Sequence, residues 1–153
     1  RTGDVGPMGV RALVVVVLLQ IASATALLSL AHGWLLVGVA VVASRVAATL
    51  GCLRGLPTAS GSSLGAVVAG TVPGVVGGLA VVVTGAALTG ATVVAGLQWW
   101  QGVAAMAALL VAVAWLLRSA VRVFGGINGD VLGASIEVGA AALLVALTIG
   151  ATA

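Results

Sequence analysis

From Leu56 to Leu117 the chain carries no charged side chain, and from Ala12 to Ser44 the one ionisable group is His32. Runs of that length have no place on the surface of a water-soluble fold. A soluble domain carries charge on roughly a quarter of its residues. Here the share is 6% against 62% hydrophobic residues, with a mean hydropathy of +1.35. Nine charges cannot clothe a soluble particle of 153 residues, and disorder requires the opposite composition. A bilayer core admits only helices or closed barrels, because lipid satisfies no backbone hydrogen bond. Barrel strands alternate polar and apolar positions, whereas Leu13 to Leu19 is apolar throughout. The chain is therefore read as one all-α membrane domain over residues 1–153. With 23 glycines and 3% aromatic residues, its helices are expected to pack through small residues.

A spanning helix needs about 20 mostly apolar residues. Five are expected, near 12–31, 34–53, 65–88, 102–117 and 132–152. His32-Gly33 breaks the first run, with Trp34 as an interface anchor. Arg54 to Leu64, with Gly55, Pro57, Gly61 and several hydroxyls, reads as a loop. Gln98-Trp99-Trp100-Gln101 has the composition of a headgroup-level belt. Gly70, Gly74 and Gly78, with Pro73 among them, form a small-xxx-small series on the third helix. Arg118 to Val131 reads as a glycine-rich loop. This count places Arg1, Arg11, Arg45, Arg54, Arg118 and Arg122 on or nearest one side, together with Asp4 and Asp130. By the positive-inside rule that side is cytoplasmic. The net charge of +3 comes from arginines scattered singly between apolar runs, which suits orientation in a membrane rather than nucleic-acid binding. Cys52 has no second cysteine to pair with and reads as a small buried hydrophobe.

The rare polar residues concentrate between Arg118 and Glu137. Arg118 and Arg122 share a face if the helix continues through them, and two guanidinium forks suit a diphosphate. Gly125, Gly126 and Gly129, with Asn128, allow a backbone to approach a ligand closely. Asp130 near a helix start is placed to hold Mg²⁺, which takes one or two carboxylates plus substrate phosphates. Glu137, two turns further on, lies inside the membrane, where an ionisable group points to function. Plainer roles stand beside these. The arginines serve equally as topology anchors and the glycines as a turn. Asp130 serves as an N-cap, and Glu137 as a buried partner of Arg45.

The string Phe124-Gly-Gly-Ile-Asn-Gly-Asp-Val-Leu-Gly-Ala-Ser-Ile-Glu137 resembles the C-terminal signature of the cobalamin 5′-phosphate synthase family, the adenosylcobinamide-GDP ribazoletransferases. Gly3-Asp-Val-Gly-Pro-Met-Gly9, Ser44-Arg45, Arg54-Gly-Leu-Pro57 and Leu64-Gly-Ala-Val-Val-Ala-Gly-Thr-Val-Pro73 fit the same family in order. Ser60 and Ser63 stand where the family pattern carries an arginine and a glycine. The resemblance covers essentially the whole chain. It implies a bacterial inner-membrane transferase that joins α-ribazole, or its 5′-phosphate, to adenosylcobinamide-GDP and releases GMP. Under it, Arg118, Arg122, Gly125, Gly126, Asn128 and Gly129 bind substrate, Asp130 and Glu137 are catalytic, and Asp130 meets Mg²⁺. The family's aspartate-rich motif is not among these residues. The chain is accordingly expected to be the C-terminal part of a longer enzyme and inactive alone. Lipid and the two small molecules are the expected partners, nucleic acid is not, and oligomeric assembly is left open. Two other readings use the same residues: a non-catalytic membrane transport or scaffold module, and a CDP-alcohol-type phosphotransferase.

Overall fold

The computed structural model describes residues 7–59 and 67–151. Among these described residues six helices stand complete, in order: α1 (Pro7–Leu28), α2 (Gly33–Ala43), α3 (Val46–Gly51), α4 (Gly74–Val94), α5 (Trp99–Phe124) and α6 (Gly129–Ala151). α2 and α3 together make one span broken at Ser44-Arg45. Five helices among the described residues are thus long and apolar enough to cross a membrane. At the break the Ser44 hydroxyl donates to the Val41 carbonyl at 2.7 Å, the kind of back-bonding that bends a helix.

Local chemistry sets the helix ends, and several differ from the expected limits. The third span begins at Gly74 rather than near 65, because Pro73, at φ −64° and ψ 145°, is its N-cap. Gly70 therefore lies outside the helix, in a left-handed turn (φ 74°). α4 runs on past 88 until Gly96 (φ 81°) turns the chain and Leu97 N–H donates to the Thr92 carbonyl at 2.9 Å. Gln98 to Gln101 starts α5 three residues early: the Gln101 side chain accepts from the Gln98 N–H at 3.1 Å and completes a capping box. At its far end α5 passes through Arg118 and Arg122 and stops only where Gly125 takes φ 73°, a left-handed C-terminal residue that glycine accommodates without strain. The expected long loop is thereby reduced to four residues, 125–128.

α6 sits at the centre of the bundle, packed on α5, α1, α2 and α3. Leu143, Leu144 and Leu147 of α6 meet Leu109, Val113 and Leu117 of α5 and Leu36, Ala40 and Ala47 of α2 and α3 in one core. Buried hydroxyls stay satisfied within their own helices: Thr92 donates to the Thr89 carbonyl and Ser135 to that of Leu132, both at 2.7 Å. No buried side-chain nitrogen or oxygen among the described residues lacks a partner. Close helix approach does not use the Gly70, Gly74, Gly78 series, since a Cβ at any of the three would meet nothing within 4 Å. It uses Gly102, where a Cβ would lie 2.6 Å from the Thr89 Cα, and Gly77, where it would lie 2.7 Å from Leu53.

The helices run antiparallel, so the connections fall at two ends. One end holds the 29–32 and 95–98 turns, with Trp34, Trp99 and Trp100 exposed beside them, as a headgroup belt requires. The other end holds 52–59, 71–73 and 125–128, which are stitched together by backbone. Val72 N–H donates to the Cys52 carbonyl and Arg54 N–H to that of Val72, both at 3.0 Å. Ile127 N–H donates to the Pro57 carbonyl at 2.8 Å, and Ala59 N–H to that of Ile127 at 3.1 Å.

Candidate functional site

The stitched end carries a cleft of about 830 Å³, within the range of small-molecule sites. Leu50, Leu53 and Leu56 form one wall, and Leu110, Val113, Leu117 and Val121 of α5 form the other. Arg54, Arg118 and Arg122 stand on its rim, all three exposed. No guanidinium of the three has an ion-pair or hydrogen-bond partner among the described residues. Depth follows from helix length. At 1.5 Å per residue the 26 residues of α5 extend about 39 Å, against roughly 30 Å of hydrocarbon. With Trp99 and Trp100 at one interface, Arg118 and Arg122 reach the opposite headgroup level while Leu110 and Val113 stay in the apolar layer. The arrangement offers an anionic group three cations beside an apolar slot.

Arg118 and Arg122 are therefore brought together, one turn apart on a continuous helix. Arg54 joins them, although on sequence grounds it stood only as a topology marker. The signal that would have found it is the Arg54-Gly-Leu-Pro57 turn, whose Pro57 carbonyl ties it to Ile127. Gly125 reverses the chain. Gly126 lies against the backbone of Thr58 and Ala59, where a Cβ would come within 2.5 Å of the Ala59 nitrogen. Asn128 caps α6, its side-chain oxygen accepting from the Val131 N–H at 2.8 Å, and Gly129 is the first helical residue. Asp130 is thus relieved of capping. It is exposed in the first turn of α6, at the same end as the cleft but outside its lining. Glu137 points elsewhere. Its side-chain and backbone oxygens both accept from the Gln20 amide of α1, each at 3.0 Å, so its partner is Gln20 rather than Arg45.

Among the described residues no three histidines, cysteines or acids gather to hold a metal. Asp130 is the one exposed carboxylate at this end among the described residues. Burial pushes the Cys52 thiol above its ordinary range, which keeps it in the unreactive, protonated form.

An all-helical bundle with five membrane-length helices among the described residues and a cleft rimmed by three arginines at one end defines a class: polytopic helical membrane proteins. Within that class the chain belongs to the cobalamin-5-phosphate synthase family, whose model matches residues 1–148, as the motif around Phe124 to Glu137 led one to expect. It is 40% identical over 146 aligned residues to an adenosylcobinamide-GDP ribazoletransferase of Nocardioides sp., covering 95% of this chain and 53% of the relative. To one of Frankia casuarinae it is 40% identical over 157 aligned positions, covering 97% and 56%. To one of Pseudomonas syringae pv. syringae it is 36% identical over 145, covering 94% and 56%. The chain thus spans about half the length of the curated relatives it matches. No solved structure matches it.

Proposed function

We propose that this chain supplies the membrane-embedded, diphosphate-binding part of an adenosylcobinamide-GDP ribazoletransferase acting in cobalamin biosynthesis, with the arginine end facing the cytoplasm. The observation that carries this reading is the convergence of Arg54, Arg118 and Arg122, none paired with an acid among the described residues, on one cleft. In the reaction a hydroxyl of α-ribazole, or of its 5′-phosphate, forms a bond to the phosphorus that bears adenosylcobinamide. The bridging P–O bond of the diphosphate breaks, GMP leaves with the bridging oxygen, and the hydroxyl proton passes to that departing phosphate or to solvent. Charge builds on the phosphate oxygens and on the leaving group, and preorganised cations there stabilise the transition state directly. Arg118 and Arg122 hold the non-bridging oxygens through paired N–H donors, and Arg54 closes on the leaving side. The apolar walls keep bulk water from competing for the phosphorus. Asp130 is the carboxylate for Mg²⁺, which when bound screens the diphosphate charge. Glu137 stands apart from this site and supports the packing of α6 on α1 through Gln20.

The test uses the full-length enzyme with adenosylcobinamide-GDP and α-ribazole. Arg118→Gln, Arg122→Gln and Arg54→Gln should each lower kcat/KM by roughly a hundredfold while membrane insertion is retained. Arg122→Lys should recover only part of the loss, because an ammonium cannot make the paired contact. Parental turnover in any two of the glutamine variants would remove the arginines from the phosphate.

A further inference from the structure

Arg118 and Arg122 also line a second groove, of about 520 Å³, which shares Leu110 and Ala114 with the cleft and extends beyond it over Val111, Trp115 and Ser119 of α5. Below them it is walled by Leu110, Val111, Ala114 and Trp115, and Ser119 lies between the two arginines. Nothing from the described protein covers this face: Val111 is 71% and Trp115 67% exposed. No acid among the described residues pairs with either guanidinium there. We infer that, while the cleft holds no diphosphate, this groove binds one anionic phospholipid, its phosphate on Arg118, Arg122 and Ser119 and an acyl chain along Val111 and Trp115.

Depth decides the occupant. Arg118 lies 19 residues beyond Trp99, about 28 Å along the helix, so the cations sit where hydrocarbon gives way to headgroups. The exposed wall at Val111 and Trp115 lies within the acyl layer, where a lipid chain meets it and a soluble phosphate compound finds no closed slot. Side chains one turn apart on a helix are about 5–6 Å from each other, a span that one phosphodiester bridges with both forks. Charge then decides among lipids. Phosphatidylcholine brings its own cation to the guanidinium pair, whereas phosphatidylglycerol brings only the phosphate. An arginine at an anionic membrane surface favours binding by roughly fivefold.

The experiment places the full-length protein in nanodiscs of phosphatidylcholine doped with acyl-brominated phosphatidylglycerol or acyl-brominated phosphatidylcholine. The difference in tryptophan quenching between the parent and Trp115→Phe isolates Trp115. Half-maximal quenching should come at roughly twentyfold lower mole fraction for the anionic lipid, two arginines contributing. R118Q/R122Q should make the two lipids equivalent. Arg54→Gln should leave the preference intact, because Arg54 lines the inner cleft and not this groove. Equal quenching by both lipids in the parent overturns the site without recourse to any variant. Loss of the preference in Arg54→Gln overturns it too, by moving the lipid into the inner cleft.

Discussion

Two residues apart, Asn128 and Asp130 are asked for different things by the same helix start. The Asn128 side chain satisfies the Val131 N–H, so Asn128→Ala should destabilise the full-length protein by about 1 kcal/mol. That loss is readable as a lower melting temperature in detergent. Asp130 gives the helix N-terminus only a favourable charge, worth about 0.3–1 kcal/mol. Asp130→Ala should therefore leave the melting curve nearly in place while abolishing product formation. Parental turnover in Asp130→Ala would take the metal role from it. Sequence alone marked both positions as special but offered the capping duty to Asp130. Whether position 128 or 130 caps depends on where the chain leaves Gly125, which is a backbone geometry and not a composition. Glu137 teaches the same lesson at longer range. Gln20 is its partner across α1, and no periodicity within α6 could have named it.

At the scale of a helix, hydropathy was sufficient to count the spans, because the cost of burying backbone in lipid leaves little alternative. Their limits were less legible. The pair Gln98 and Gln101 reads as part of an interfacial belt by composition, and their side chains also form the cap that starts α5. Pro73 looked like an interruption and proves to be a beginning. Glycine spacing was the weakest guide, since four-residue spacing says which residues share a face but not whether a neighbour faces them. Gly102→Leu should drive α4 and α5 apart at Thr89 and destabilise by at least 1–3 kcal/mol. Gly74→Ala and Gly78→Ala, facing open space, should be neutral or stabilising by up to about 1 kcal/mol. Thermal denaturation of the three variants side by side checks this, and equal losses would show that the glycine series packs after all.

Across the whole molecule, the cleft exists because loops far apart in sequence are held by backbone hydrogen bonds at one end of the bundle. This is why the cluster between Arg118 and Glu137 could be read as a candidate site while Arg54 could not be joined to it. The joint runs through Gly126, which has no room for a side chain against Thr58 and Ala59. Gly126→Val should therefore unseat 125–128 from 57–59 and expose the 52–59 segment to limited proteolysis, with the helical circular dichroism signal retained. Unchanged cleavage would mean that the two loops hold without it. The same joint dictates an order of manufacture. Arg54 and Pro57 enter the membrane before α4 and α5 are made, yet the Pro57 carbonyl meets its donor only when Ile127 has left the ribosome. A nascent chain halted at the end of α5 already owns all three arginines of the rim but has no fastening between them. The competence to hold an anion thus arrives only after α5 is complete and the 125–128 turn has followed it, and an unfinished chain carries the parts of the cleft before it has the cleft.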